Sequence, residues 1–418
     1  MHEFRYRNKK LHCEQIPIQN LAEEVGTPFY LYSYNTLLNH YRAFDSAFSF
    51  TPHIIAYAVK ANANLSILKL FAGQGSGADI VSAGELYKAL KAGISPDRIV
   101  FAGVGKNPPE IEYALATGIL MFNVESEQEL KTINEVAGRV HRIARIALRV
   151  NPDVDPKTHP YIATGLKKSK FGIWIERALE NYKLASRLKN IEVTGLHMHI
   201  GSQLTDVSPY VAALKRLILL MDQIRSHGIP IQYLNIGGGL GITYANEVPP
   251  HPSELAQAVA PLIKELGVTL ILEPGRALVG NAGILVTRIL YTKKGDGKTF
   301  VIVDAAMTDL IRPSLYGAHH QILPVIKRPR KNLIADVVGP VCESADFLAK
   351  DRKMEESRPG ELLAVMSAGA YGFAMSSNYN ARPRIPEVLV NGKAFYVIRE
   401  RENYADLIKG EVIPEFLK

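Results

Sequence analysis

At 418 residues the chain is longer than one ordinary domain, and a barrel of ~250 residues plus a second domain fits that length. With 47% apolar and 22% charged residues it reads as globular; no apolar run reaches the ~18 residues of a membrane span, and two cysteines make no disulfide framework. The formal charge of +8 invites a nucleic-acid partner, but the basic residues are dispersed, and the densest patch, Lys327-Arg328-Pro329-Arg330-Lys331, reads as a solvated loop. The opening Met1-His2-Glu3-Phe4 stretch lacks the apolar core of a secretory leader, so a cytoplasmic location is expected, with neither membrane nor nucleic acid as partner.

Residues 1–34 read as short strands, including Pro28 to Tyr32, with no helix of their own, and are expected to join a sheet made elsewhere. Ile54 to Val59 is a buried parallel strand by its apolar run, stopping abruptly at Lys60. Gly77 to Val81 follows, then Ser82-Ala83-Gly84-Glu85, a capping box opening a helix that ends at Gly93. Arg98 to Ala102 and Ile119 to Val124 are the third and fourth strands, and Ser126 with Glu129 repeats the box. The remaining runs are Ile143 to Val150, Val193 to Ile200, Gln232 to Ile236 and Val268 to Leu272. Ser208-Pro209 supplies an N-cap and a first-turn proline to a helix running toward Gly228. Eight strands alternating with helices predict a (β/α)8 TIM-like barrel over 35–280, an α/β class, with a doubly wound sheet as the minor alternative. Beyond it, Phe300 to Val303, Leu333 to Val338, Leu362 to Met366 and Glu387 to Val390 are strand-like, and Asn391-Gly392 is a hairpin signal. Residues 281–418 with 1–34 are therefore expected to form a β-rich second domain.

Unusual residues cluster just past the proposed barrel strands, where a barrel carries its chemistry. Lys60 ends strand one: burial there would lower its amine pKa and make it a nucleophile able to form a Schiff base, while alone it could simply reach solvent. Asp79 ends strand two. Strand six runs into His197-Met198-His199-Ile200-Gly201-Ser202-Gln203, strand seven into Gly237-Gly238-Gly239, strand eight into Glu273-Pro274-Gly275-Arg276. The glycines would let backbone amides turn toward an anion such as phosphate. His197 and His199 do not complete a metal shell, since only one is expected to enter the site and no cysteine or carboxylate cluster accompanies them. A flat imidazole against a ligand ring is preferred. Glu273 then suits a pyridine nitrogen, which a facing carboxylate keeps protonated. Together these pieces describe a pyridoxal-phosphate site.

At these motifs the sequence resembles the diaminopimelate decarboxylases of the alanine-racemase-like, fold-type III pyridoxal-phosphate decarboxylases. Tyr57-Ala58-Val59-Lys60-Ala61-Asn62 is similar to the family's cofactor-lysine motif. Arg312-Pro313-Ser314-Leu315-Tyr316-Gly317 is similar to its substrate segment, and Gly339-Pro340-Val341-Cys342-Glu343 to its cysteine motif. Ala368-Gly369-Ala370-Tyr371-Gly372 also matches. The resemblance implies decarboxylation of meso-2,6-diaminopimelate to L-lysine by a homodimer with shared active sites. It implies Lys60 and Cys342 as catalytic residues, Cys342 reprotonating the product carbon from across the interface. Asp79, His199, Ser202, Gly238, Gly239, Glu273, Gly275, Arg276 and Tyr371 would hold pyridoxal 5'-phosphate. Arg276, Arg312 and Tyr316 would bind the distal carboxylate, since guanidinium forks grip carboxylates, with Glu343 on the distal ammonium and Tyr371 lining the substrate.

The nearest rival is an ornithine- or arginine-type decarboxylase, whose substrates leave two arginines facing a cation. A non-catalytic pyridoxal-phosphate-binding protein is disfavoured by the presence of both Lys60 and Cys342. A sugar-phosphate barrel enzyme using the glycines alone leaves the lysine unexplained.

Overall fold

The computed structural model describes residues 2–155 and 170–417. Two compact units divide the chain: Leu38–Val279 forms one, and Met1–Leu37 with Gly280–Lys418 the other.

In the first unit the strands His53–Ala58 (β1), Gly77–Ile80 (β2), Ile99–Phe101 (β3), Met121–Val124 (β4), Ala144–Asn151 (β5), Ile191–His197 (β6), Tyr233–Asn235 (β7) and Thr269–Leu272 (β8) pair in parallel. β8 pairs with β1 and β4 with β5, which closes the barrel; Ile173–Trp174 adds a short outer partner to β5. The expected TIM-like barrel is what the chain forms. Its strands are apolar on successive residues because both faces are covered, as in β1, where Ile54 to Ala58 are all buried. Ile54, Ala56, Val100, Met121, Ala147 and Ile271 fill one interior cluster, each large side chain contributing roughly 1.5–3 kcal/mol by leaving water.

The helices confirm some sequence signals and redirect others. Gly93 caps its helix in the left-handed region at φ 89. Ser82 and Ser126 accept the amides of Glu85 and Glu129, but the glutamates do not return to the cap residue. Glu85 instead accepts from Val81 N, and Glu129 accepts from Glu125 N and from Lys106 Nζ, an ammonium that outcompetes an amide for the carboxylate. Ser208 is not an N-cap. It is the first residue of Ser208–Ser226, with its amide and hydroxyl both donated to Asp206.

In the second unit, strand Phe29–Ser33 lies between Gly283–Lys294, antiparallel to it, and Glu387–Asn391, parallel to it. The N-terminal segment thus does complete a sheet made by the C-terminal part. It also carries a helix, Ile18–Val25, which the sequence reading did not expect; its eight residues bury Ile18, Leu21 and Ala22 beneath that sheet's core. Three strands were not anticipated at all, the short Ile322–Pro324 among them. Gly283–Lys294 follows the helix Arg276–Val279 and a turn at 280–282, and Phe347–Glu355 is dominated by charge. Glu387–Asn391 and Ala394–Arg399 form the expected hairpin, Asn391 pairing with Ala394 around Gly392 at φ 62. The basic segment 327–331 is occupied internally: Arg328 and Arg330 reach Glu361, and the Lys327 ammonium lies 4.1 Å from the Tyr6 ring centroid.

Candidate active site

Strand register lines up the barrel's polar residues. Ala58 pairs with Asp79, and His197 pairs with both Arg149 and Asn235, so their side chains gather at the C-terminal ends of neighbouring strands. Lys60 lies two residues beyond β1, in the 3-10 turn Val59–Ala61. Tyr57 pins that turn by donating its hydroxyl to Asn62 O at 2.8 Å. From there Lys60 Nζ donates to Asp79 Oδ2 at 2.5 Å, with 40% of the lysine side chain exposed and none of the aspartate. Burial first, and the charge of Glu273 second, push Asp79 up to about 6 against the pull of Lys60.

Glu273, just past β8, is buried and held from three sides. Its Oε1 accepts from Asn235 Nδ2 at 2.6 Å and from Asn123 Nδ2 at 3.1 Å, while its Oε2 stands 3.5 Å from His197 Nε2. Burial would raise its pKa, but His197, Lys60 and the Asn235 bond together hold the carboxyl below its usual range. Glu273 is thus the ionised member of the acidic pair and Asp79 the one poised to take a proton.

His199 lies beyond the end of β6 and takes the Gly238 amide on Nδ1 at 3.2 Å. Burial, then the charges of Arg149 and Lys60, keeps its pKa well below the usual imidazole value, so the ring is neutral with its proton on Nε2. Both histidines therefore reach the site, contrary to the expectation that only one would. Residues two apart on a strand share a face, and β6 ends at His197.

The glycine loop is built for close approach. A Cβ on Gly238 would lie 2.1 Å from Glu273 O, and one on Gly239 2.3 Å from Gly201 O, with Gly239 at φ 111. Two of its amides are already spent, Gly237 on Asn235 Oδ1 and Gly238 on His199, so the loop offers an anion fewer donors than its sequence suggested. Tyr210 donates to Gly238 O, and Gln203 clasps Ile242 through both amide atoms, zipping this loop to the one after β6. Gly275 packs on the lysine turn, its missing Cβ 3.1 Å from those of Ala58 and Ala61. Arg276 opens the helix Arg276–Val279 and donates to Tyr244 Oη at 2.6 Å and Ser202 Oγ at 3.0 Å.

The remaining expected residues belong to the second unit. Arg312 and Tyr316 bound the short helix Arg312–Tyr316. Arg312 is buried, its Nη1 2.8 Å from His320 Nε2. His320 Nδ1 lies 2.8 Å from Met366 O and must donate there, which leaves Nε2 as the acceptor that aims the guanidinium. Ser314 ties the helix to Ala345 O. The Cys342 loop is folded around Asp346, which accepts from Val341 N and Met307 N. Cys342 and Glu343 are exposed, with the Cys342 amide donated to Asn380 Oδ1 at 2.8 Å. Tyr371 holds a left-handed φ of 56.

Sequence reasoning missed His197, Asn123, Asn235, Tyr244 and His320 as supports. No cluster of three or more metal-ligating side chains occurs among the described residues, and none of their helices is long and apolar enough to cross a membrane.

Residues 34–280 match the pyridoxal-binding domain of pyridoxal-dependent decarboxylases. The chain is 53% identical to the diaminopimelate decarboxylase of Aquifex aeolicus over 97% of this chain and 96% of that one. It is similar to the crystal structure of diaminopimelate decarboxylase from M. jannaschii in co-complex with L-lysine, with a TM-score of 0.94, 39% identity and 99% of each chain covered. The Helicobacter pylori diaminopimelate decarboxylase complexed with L-lysine gives a TM-score of 0.91 at 45% identity, covering 94% of this chain and 98% of that one.

Proposed function

This chain belongs to the pyridoxal-dependent decarboxylases and, among them, to the diaminopimelate decarboxylases, and from that premise we propose the roles of its residues. It is a carboxy-lyase that releases carbon dioxide from meso-2,6-diaminopimelate and leaves L-lysine, the last step of lysine biosynthesis. When bound, pyridoxal 5'-phosphate supplies an aldehyde that condenses with amines and a ring that takes up the electron pair left by the departing carboxylate.

The barrel residues fit that group. Asp79 Oδ1 and Asn123 Oδ1 are buried without a hydrogen-bond partner among the described residues, so a polar guest suits this end of the barrel. The glycine loop leaves no room for side chains against Glu273 and Gly201, which suits a closely held phosphate. Lys60 is the residue assigned to the aldehyde, with Asp79 Oδ2 placed to accept the ammonium proton and leave a nucleophilic amine. Neutral His199 is assigned to the ring face and ionised Glu273 to the ring nitrogen. Ser202, Gly239, Gly275 and Tyr371 are assigned to the phosphate, and Gly238 and Arg276 to the cofactor site around it.

For the substrate, Arg276, Arg312 and Tyr316 are assigned to the distal carboxylate, Glu343 to the distal ammonium, with Tyr371 lining the same substrate. Cys342 Sγ is assigned the return of a proton to the carbon that lost carbon dioxide. The observation that carries the whole reading is Lys60 Nζ at 2.5 Å from buried Asp79, on the strand ends that also hold Glu273. The test is carbon dioxide release from purified holoenzyme given meso-diaminopimelate, ornithine or arginine separately. Diaminopimelate is expected to react far faster than either. Ornithine or arginine reacting as fast would replace the substrate assignment with a basic amino-acid decarboxylase.

A homodimer with shared sites follows from assigning Cys342 and Glu343 to the partner's active site, and their exposure in the single chain supports it. A cytoplasmic location is supported by two cysteines that form no disulfide. Mixing Lys60→Ala with Cys342→Ala under subunit exchange is expected to restore activity, because one site of each mixed dimer regains both residues. Verified mixed dimers without activity would remove the shared-site arrangement.

A further inference from the structure

His197 ends β6 with 1% exposure and was given no role by its sequence motif. Its Nε2 stands 3.5 Å from Glu273 Oε2, on the opposite side of the carboxylate from the two amide donors on Oε1. Neither ring nitrogen has a hydrogen-bond partner among the described residues. A buried imidazole left this way is costly, and among the described residues its close charged contact is with Glu273. Packing alone would be served as well by an apolar ring.

We propose that His197 is a positioning residue for the reaction: its Nε2–H, directed at Oε2, keeps Glu273 ionised and turned so that the ring nitrogen of the cofactor meets a charged acceptor. This rests on the assignment of Glu273 to that nitrogen. Charged and titratable groups face the His197–Glu273 pair from around the barrel: Lys60 after β1, Asp79 on β2, Glu125 after β4, Arg149 on β5 and His199 after β6. Asp79 opposes a charge on Glu273, and Lys60 supports it. Glu125 is neutralised largely by Arg149, its partner at 2.7 Å. Beside the neutral amides of Asn123 and Asn235 on Oε1, that leaves His197 and Lys60 acting on Glu273, and Lys60 is the one that turnover engages. The sign follows: without His197 the folded-state pKa of Glu273 rises, so the carboxylate takes a proton at a pH where the natural protein keeps it charged.

The test compares His197→Asn with His197→Gln as holoenzymes. An Asn amide ends near the position of Nδ1 and cannot reach Oε2, whereas a Gln amide ends near Nε2 and can. The readout is the acid-side midpoint in a pH titration of the bound cofactor's absorbance without substrate, with kcat and KM measured alongside. His197→Asn is expected to move that midpoint up by about one unit or more and to lower kcat roughly 10-fold with KM nearly unchanged. His197→Gln is expected to restore both. An unmoved midpoint in His197→Asn, or equal displacement in both variants, overturns the proposal. Glu273→Gln separates the two levels: if it leaves the cofactor's spectrum and titration unaltered, the assignment of Glu273 itself fails, whatever His197 does.

Discussion

Lys60→Ala is expected to abolish turnover with diaminopimelate and to leave no cofactor attached after borohydride reduction. In the natural protein, reduction should fix the cofactor on the peptide that contains Lys60. The argument is one of supply. Lys60 Nζ is delivered by a turn that Tyr57 and Gly275 hold in place, and its proton has an acceptor 2.5 Å away in Asp79, poised at about 6. Lys106, the buried lysine among the described barrel residues, cannot substitute. Its Nζ donates to Gly103 O at 2.7 Å, Asn123 O at 2.8 Å and Glu129 Oε1 at 2.7 Å, which uses all three of its protons. Withdrawing it would also leave Glu129 a buried charge without its partner, a cost of roughly 3–5 kcal/mol. Cofactor recovered on Lys106, or on any lysine but Lys60, would end the assignment.

Much of the barrel was legible because parallel strands are buried on both faces and so announce themselves as apolar runs. The runs overshot where β6 was drawn to Ile200: the chain leaves the sheet after His197 although Met198 and Ile200 are as buried as strand residues. Hydropathy reports burial, and burial continues into the loop. The reverse failure is Phe347–Glu355, which is paired along its length with Asn332–Val338 yet carries Lys350, Asp351, Arg352 and Lys353 in succession, so no alternation marked it. The site shows the same division. Lys60, Asp79, Glu273 and Arg276 were visible because charged residues at the ends of apolar strands need a reason. Asn123, Asn235 and His320 were not, because a buried amide or imidazole acquires meaning only from the atom it faces. Asn235 and Glu273 are 38 residues apart in sequence and 2.6 Å apart in space.

Arg312→Ala is expected to lower kcat/KM for diaminopimelate by about two to four powers of ten while leaving the bound cofactor's absorbance unchanged. Lysine offered as a substrate, with its α-carbon at the cofactor, lacks the distal carboxylate that diaminopimelate presents, so discrimination between the two must come from groups that address that carboxylate. Each charge-assisted bond to it is worth roughly 1.5–3 kcal/mol before desolvation. Arg312 is prepared for such a bond. It is 6% exposed, and the donor that His320 requires of it fixes one edge of the guanidinium, because His320 Nδ1 is committed to Met366 O. A fork fixed in orientation loses less freedom when it binds. Lysine offered in that orientation brings these donors no carboxylate and should be a poor substrate of the natural enzyme. The arginine deletion should therefore narrow the gap between diaminopimelate and lysine from the diaminopimelate side. Glu343→Ala should weaken the same recognition by removing the partner of the distal ammonium, with the cofactor's spectrum again unaltered. Steady-state kinetics of both variants with diaminopimelate, lysine and ornithine decide the matter. An Arg312→Ala enzyme whose kcat/KM for diaminopimelate equals that of the natural protein would strip Arg312 of its distal-carboxylate role and leave its bond to His320 as purely architectural.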